Sequence, residues 1–172
     1  VNLFAPMALT RAVLPGMIQR RRGLVVNISS VSGVLTTPFA GPYCASKAAF
    51  NAASDALRME LAPLGVQVVT VQPGGIQSSF GNTASSALSL SPDSPYQAIQ
   101  ASVLARANES QNQAMPADTF ARLLVDQLKR PDCPPIVRLG EKSSLLPFLK
   151  QWLPTRLLDR VLSKKFGLDG LK

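Results

Sequence analysis

Two residues of this sequence, Tyr43 and Lys47, have the types and the spacing that proton transfer requires. A separation of four positions places both side chains on one face of a helix, with the phenol at its start and the ammonium one turn later. A cation held within about 4 to 6 Å of a phenol favours the phenolate and lowers its pKa from about 10. The pair therefore predicts that Tyr43 acts as a general acid or base.

A third candidate, Ser30, follows residues 24–28, which are apolar and rich in β-branched side chains. Such a segment predicts a strand buried on both faces of a parallel sheet. Ligands of α/β proteins bind at the carboxyl ends of these strands, so the Ser30 hydroxyl is predicted to hydrogen-bond a substrate carbonyl. The chain has no histidine, which excludes a Ser-His-Asp triad and most zinc sites.

The elements that position these residues follow from hydrophobic periodicity and from glycine and proline breaks. The pattern predicts helices at 1–22, 43–63, 96–112 and 116–129, strands at 24–28, 66–71 and 135–139, a serine-rich loop at 74–95, and two short helices within 143–166. Arg20, Arg21 and Arg22 are predicted to form a basic last turn of the first helix, which suits the helix dipole. Alternating strands and helices predict an α/β fold whose parallel sheet is covered by helices on both faces.

Composition narrows the class of protein. A length of 172 residues fits one domain, and Cys44 and Cys133 form neither a disulfide framework nor a CxxC metal or redox motif, which predicts a reducing, cytoplasmic environment. The net charge of +8 is concentrated at the two ends of the chain, and the aromatic residues are not interleaved with the basic ones, so no nucleic-acid partner is expected. No metal site is expected either.

The residues around Ser30 and Tyr43 resemble the short-chain dehydrogenase/reductase family. Ser30 stands 13 residues before Tyr43, which is the usual interval of that family. The resemblance is specific from residue 1 to about residue 80 and looser beyond it. The other matching motifs are Gly23-Leu24-Val25-Val26-Asn27-Ile28-Ser29-Ser30 with Gly33 after it, Val71-Gln72-Pro73-Gly74, and the asparagine of Val1-Asn2-Leu3.

This resemblance implies an NAD(P)-dependent oxidoreductase that interconverts an alcohol and a ketone or aldehyde by hydride transfer. Tyr43 would exchange the proton with the substrate oxygen and contact the cofactor. Lys47 would lower the Tyr43 pKa and bind the nicotinamide ribose. Ser30 would hold the substrate oxygen, and Asn2 would anchor a water of the proton relay.

The resemblance also implies where the cofactor lies. The backbone at Pro73, Gly74 and Ile76 would line the nicotinamide, and Ser78 would contact its carboxamide. The cofactor is NADP or NAD, because the residue that chooses between them in the family has no counterpart here. NADP is slightly favoured. The glycine-rich turn that holds the pyrophosphate is absent too, since no two glycines of the chain stand two positions apart.

These absences predict that the chain is the C-terminal portion of one Rossmann-type domain whose N-terminal strands, about 100 residues at roughly 30 per βαβ unit, are missing. Residues 1–73 would form the catalytic core, 74–115 the substrate loop or lid, and 116–172 the last helix, strand and C-terminal helices. The chain alone is then expected to bind NAD(P)H very weakly and to expose an unpaired sheet edge.

The side chains of the predicted lid indicate the kind of substrate. Residues near the start of the lid and the leucine-rich C-terminus resemble one branch of the family. Phe80, Leu88, Leu90 and Tyr96 favour an apolar alcohol or ketone. Residues 73–81 look like the branch of 17β-hydroxysteroid, retinol and acyl-dihydroxyacetone-phosphate reductases. The alanine-rich helix 43–63 and the first helix resemble the surfaces through which family members form homodimers or homotetramers.

Two other functions remain open from the sequence. The chain could be an inactive truncated remnant. Residues 143–166 also pair leucines and Trp152 with basic residues, as in a module that binds an anionic membrane surface. More often such a segment covers a core and presents a solvated basic face.

Overall fold

A computed structural model, which describes residues 1–86 and 88–171, contains a three-stranded parallel sheet. The strands lie side by side in the order β1 (Gly23–Ile28), β2 (Val66–Val71) and β3 (Ile136–Val137). β1 and β2 are in register over their whole length, so their carboxyl ends meet at one edge of the sheet. Each connection between them is a crossover that contains a helix, as parallel pairing requires.

The helices lie close to most of the predicted positions. In chain order they are α1 (Phe4–Gln19), α2 (Gly41–Leu61), α3 (Phe80–Ser86), α4 (Gln100–Asn108), α5 (Ala117–Leu128), α6 (Leu145–Trp152) and α7 (Thr155–Lys165). Short 3₁₀ turns flank α4 on both sides, so the helix predicted at 96–112 is interrupted rather than continuous.

Helices cover both faces of the sheet. The side chains of β2 alternate between the two faces, so each face packs against different helices. On one face, Val68 packs with Leu14 of α1 and Leu61 of α2. On the other face, Val71 packs with Leu124 of α5. This arrangement confirms the predicted Rossmann-type α/β fold.

The first helix ends earlier than predicted, at Gln19 rather than Arg22. Arg21 adopts a left-handed φ of 49°, through which a right-handed helix cannot continue. The arginines therefore lie beyond the helix and do not form its last turn, so that prediction is wrong. The guanidinium of Arg21 instead donates to the carbonyl of Pro63 at 2.8 Å and ties this turn to the end of α2.

The helix that carries Tyr43 begins and ends as its sequence indicates. Pro42 lies in its first turn, where a missing N–H costs nothing. A 3₁₀ turn at Ala62–Leu64 follows it, and Gly65 then closes the segment with a φ of 77°. A Cβ at Gly65 would overlap the carbonyl of Arg21, so both the conformation and the space require glycine.

The serine-rich segment 74–95, predicted as a loop, contains the helix α3. The hydroxyl of Thr83 donates to the carbonyl of Ser79 at 3.0 Å, and that of Ser85 donates to the carbonyl of Gly81 at 2.8 Å. Short polar side chains usually compete with the helix backbone. Here they bond to carbonyls one turn back inside the helix, which composition did not indicate.

The last strand is shorter than the predicted 135–139. Pro135 has no N–H with which to extend the ladder. Its carbonyl nevertheless accepts from Thr70 at 2.9 Å, and the carbonyl of Leu139 accepts from Gly74 at 2.9 Å. Single hydrogen bonds therefore continue the pairing of β3 over the predicted range.

Apolar side chains remain exposed at one sheet edge and on α1. Among the described residues β1 pairs only with β2, and Leu24 and Ile28 are half exposed there. On α1, Phe4 and Leu9 are largely exposed, on a helix that the resemblance assigns to a dimer interface. The oligomeric state stays a prediction.

Gly33 provides a test of how the turn after β1 packs on α2. A Cβ at this position would lie 2.7 Å from the carbonyl oxygen of Lys47 and 2.5 Å from Nδ2 of Asn51. Because the helix backbone cannot give way, we expect Gly33→Ala to lower the free energy of unfolding by about 1 to 3 kcal/mol. Urea denaturation followed by circular dichroism measures this change.

Gly41→Ala is the matched control, since a Cβ at Gly41 meets nothing within 4 Å at the start of α2. It should change the free energy of unfolding by less than about 1 kcal/mol. Equal losses of stability in the two variants would contradict the close contact between the Gly33 turn and α2.

Candidate functional site

The carboxyl ends of β1 and β2 open into a cavity of about 530 Å³. Its walls come from the turn after β1, the start of α2, the loop after β2, and the helices α4, α6 and α7. Apolar side chains form much of the lining, including Val31, Leu35, Phe80, Val103, Leu146 and Phe166.

Ser30 lies in this cavity wall, at the point where β1 ends. Where the chain leaves the sheet, the Val31 N–H donates to the carbonyl of Pro73 at 3.1 Å. The Ser30 oxygen accepts from the Ser32 N–H at 3.0 Å and caps the 3₁₀ turn Val31–Gly33. Because this bond uses the oxygen as an acceptor, the hydroxyl proton stays available to donate to another oxygen.

Tyr43 lies in the first turn of α2 and lines the same cavity. The ring of Phe80 from α3 covers it, with the ring centroids 5.2 Å apart. Burial raises the pKa of the Tyr43 phenol above its usual value of 10, and this effect exceeds that of the Ser30 hydroxyl, whose hydrogen bond lowers it. The phenol is therefore protonated at neutral pH and can donate a proton.

The predicted effect of Lys47 on that phenol is wrong for this structure. The Lys47 ammonium donates to the carbonyl of Ile28 at 3.1 Å, and the charge that lowers the Tyr43 pKa belongs to Arg106. Burial in turn lowers the pKa of Lys47. The i, i+4 spacing did place Lys47 on the face of α2 that meets the end of β1, but its charge is directed at a backbone carbonyl.

Two of the predicted site residues, Asn2 and Lys47, do not line the cavity. The side chain of Asn2 is exposed, and its Nδ2 donates to Ser46 Oγ at 3.3 Å. Ser46 in turn donates to the carbonyl of Tyr43 at 2.7 Å. Asn2 therefore contacts the helix that carries Tyr43 and is not part of the cavity wall.

The four residues predicted to line the nicotinamide all border the cavity. They are Pro73, Gly74, Ile76 and Ser78. The Ser78 N–H donates to Oε1 of Gln111 at 3.0 Å, which links this loop to the 3₁₀ turn after α4. A Cβ on Gly74 would overlap the carbonyl of Glu141, so the loop can take this path only with glycine.

Sequence reasoning missed Arg106, a cation on α4 that lines the cavity. Its Nε and Nη2 both donate to Oγ1 of Thr37, at 2.9 and 2.6 Å. A usable signal was present, because Arg106 is the only basic residue in the predicted lid segment 74–115.

Away from the cavity, α6 and α7 expose apolar side chains beside basic ones. Phe148 and Trp152 are more than half exposed, and their ring centroids lie 6.2 Å apart. Within the described residues, no helix has both the length and the apolar character needed to cross a bilayer. Binding of this face to a membrane surface stays a prediction, and no cluster of three metal-ligating side chains is found in the same part of the chain.

Comparison with known proteins shows which family has sequences similar to this chain. A family model described as short chain dehydrogenase matches residues 1–88. The short-chain dehydrogenase cctT of Talaromyces islandicus is 35% identical over 172 residues, which are 99% of this chain and 60% of that protein. The NADPH-dependent 3-dehydrocapnine reductase of Ornithobacterium rhinotracheale is 32% identical over 170 residues, which are 95% of this chain and 59% of that protein. The chain thus spans less than two thirds of either relative.

Solved structures agree with the sequence relatives. A short-chain dehydrogenase from Streptomyces avermitilis has a TM-score of 0.69 and 27% identity, with 98% of this chain and 58% of that chain covered. A short chain dehydrogenase from Burkholderia cenocepacia in complex with NADP has a TM-score of 0.68 over 94% of this chain and 56% of that one. At 20% identity, the second likeness concerns the fold alone.

The raised pKa of Tyr43 can be measured by absorbance titration of the phenols. We expect one of the two tyrosines of the chain to ionise above its usual value of 10, and Tyr43→Phe to remove that step. Ser30→Ala should move the step further upward, because it deletes the hydrogen bond that lowers the pKa. A Tyr43 phenol that titrates below 10 would contradict this description of the site.

Proposed function

This chain belongs to the short-chain dehydrogenase family, and we propose that it forms the catalytic and substrate-binding part of an oxidoreductase. The proposed reaction interconverts an alcohol with a ketone or aldehyde. One observation carries the proposal: Ser30 and Tyr43 line the same largely apolar cavity, at the carboxyl ends of two parallel strands, and the Ser30 hydroxyl lowers the pKa of the Tyr43 phenol.

Tyr43 is proposed as the proton donor for reduction of the carbonyl. Its raised pKa keeps the proton on the phenol at neutral pH, as reduction requires. Ser30 is proposed to donate a hydrogen bond to the same substrate oxygen. Its own oxygen already accepts from the Ser32 N–H, which leaves the hydroxyl proton to be donated. In the direction of oxidation, the phenolate would take the proton from the alcohol.

The chain also has residues that fit the nicotinamide end of a cofactor. The loop of Pro73, Gly74, Ile76 and Ser78 offers an apolar side chain, backbone groups and a hydroxyl to the cavity that Tyr43 also lines. A bound NADP or NAD would supply the hydride. The name of the Ornithobacterium relative, which is NADPH-dependent, supports NADP.

Lys47 and Asn2 are proposed as supporting groups rather than as the acid. The Lys47 ammonium lies at the end of β1, where it holds the Ile28 carbonyl, and we propose that it binds the nicotinamide ribose from there. The contact of Asn2 with Ser46, next to the first turn of α2, supports a role in holding a water or the helix start near Tyr43.

Residues 74–115 are proposed to be the substrate lid above a core of residues 1–73. Two contacts support this division: Phe80 packs on Tyr43, and Tyr96 packs edge-on against Phe39 with centroids 5.6 Å apart. The apolar lining of the cavity favours a substrate with an aliphatic or cyclic hydrocarbon body. Residues 116–172 contribute α5, β3 and the helices α6 and α7 that close the far wall.

Replacement of Tyr43 tests the proposed proton donor. In the complete gene product, assayed with NADPH and a panel of aliphatic ketones and oxo acids, we expect Tyr43→Phe to lower kcat by about 100- to 10,000-fold. The loss follows because phenylalanine keeps the ring but has no proton to donate.

Tyr96→Phe is the matched control, since it removes the other tyrosine hydroxyl of the chain from a residue outside the cavity wall. It should keep most of the parent rate. Equal rates for Tyr43→Phe and the parent would contradict the proposal, and a parent protein that binds NADPH but reduces no ketone would support the inactive remnant.

A further inference from the structure

The cavity is lined by three basic side chains, Arg106, Lys142 and Lys165, and by two acidic ones, Glu109 and Glu141. Both lysines pair with Glu109, whereas the hydrogen-bonding capacity of Arg106 is only partly used. A guanidinium has five N–H donors in a rigid plane. In Arg106, the Nε–H and one Nη2–H point to Thr37 Oγ1. The remaining three N–H groups, on Nη1 and Nη2, have no hydrogen-bond partner among the described residues, although the side chain lines a cavity beside Tyr43.

Glu109, the nearest acidic residue in the chain, lies in the 3₁₀ turn after α4, and its charge opposes the burial that lowers the Arg106 pKa. Its carboxylate nevertheless pairs with two lysines and not with Arg106. Glu109 accepts from Lys165 at 2.5 Å and lies 3.6 Å from Lys142. Burial raises the Glu109 pKa, but the bond with Lys165 and the charges of both lysines outweigh it and hold the pKa below its usual value. Within residues 1–86 and 88–171, Arg106 itself forms no ion pair with a carboxylate.

Arg106 is also held in a defined orientation. Its guanidinium carbon lies 5.5 Å from the ring centroid of Phe166, which is buried at the end of α7. Thr37 fixes one edge of the plane from the loop before α2. A guanidinium restrained by a ring and by one edge presents its other edge, the Nη1 and Nη2 fork, at little cost in side-chain entropy.

We propose that Arg106 binds an oxyanion of the substrate, so that the substrate is an oxo or hydroxy compound with an anionic group and an apolar body. The free fork matches two oxygens of a carboxylate, phosphate or sulfonate. The apolar walls of Val103, Leu146 and Phe166 would contact the body. This assignment refines the apolar alcohol or ketone expected from the sequence by adding an anionic group to it.

Arg106 and Tyr43 line the same cavity, so one substrate can reach both side chains. The charge of Arg106 also lowers the pKa of the Tyr43 phenol. A substrate whose carbonyl meets Tyr43 can therefore bring its anionic group to Arg106. This step rests on the proposed function, whereas binding of the anion itself does not.

Binding without turnover separates the two claims. Octanoate, octyl phosphate and the uncharged octanamide are titrated into the 172-residue chain by calorimetry at pH 8. We expect one or both anions to bind at least about tenfold more tightly than octanamide, because hydrogen bonds to a charged group are stronger than neutral ones. The relative affinities of octanoate and octyl phosphate identify the favoured oxyanion.

Variants assign the preference to Arg106. Arg106→Gln should bring the affinity ratio of anion to amide close to 1, and Arg106→Lys should leave it in between, since it keeps the charge without the fork. The control is Arg122→Gln, which removes an exposed charge on α5 outside the cavity and should keep the parent ratio. Circular dichroism verifies that each variant is folded.

An unchanged ratio in Arg106→Gln, or no preference for the anions in the parent chain, would overturn the proposal. If Arg106→Gln does not fold, the ratios of the parent and of Arg106→Lys decide it, because a merely structural arginine would give no anion preference in either. A chain that prefers anions while the complete gene product shows no reductase activity would leave the subsite and reject the proposed function.

Discussion

The site depends on how α2 is fixed against the carboxyl end of β1. Gly33 allows the turn after β1 to reach the helix backbone, and Ser29 Oγ donates to the carbonyl of Lys47 at 3.3 Å. Lys47 returns a hydrogen bond to the carbonyl of Ile28. These reciprocal contacts fix the distance between Ser30, which belongs to the strand end, and Tyr43, which belongs to the helix start. Both side chains thereby reach the wall of the same cavity.

Burial and charge then determine which protonation state of the Tyr43 phenol the site favours. An apolar wall that removes water raises the Tyr43 pKa, and only the Ser30 hydroxyl and the Arg106 charge oppose it. Such a cavity keeps the Tyr43 phenol protonated, so that it can act as an acid. The cation that acts on it, Arg106, comes from α4, within the proposed lid, and not from the next turn of α2.

Much of this arrangement could be predicted from local sequence patterns. The β-branched runs of β1 and β2 and the helix around Tyr43 each depend on residues close together in the chain, and all three were predicted. The helix α3 was not predicted, because its serine and threonine hydroxyls act through particular hydrogen bonds. β3 was predicted but is shorter than expected, because Pro135 has no N–H to extend the ladder. Arg106 was missed because its role depends on Thr37, 69 positions away. The pKa of Tyr43 was predicted in the wrong direction, since sequence spacing contains no measure of burial.

The most direct test of the central claim is a crystal structure of the complete gene product with a bound 3-oxo acid. The substrate carbonyl oxygen should lie within about 2.6 to 3.2 Å of both the Tyr43 hydroxyl and the Ser30 hydroxyl, which is the reach of a proton donor. A ligand whose carbonyl lies away from these two hydroxyls, with the Tyr43 phenol turned toward another group, would contradict the assignment of the acid and of the cavity together.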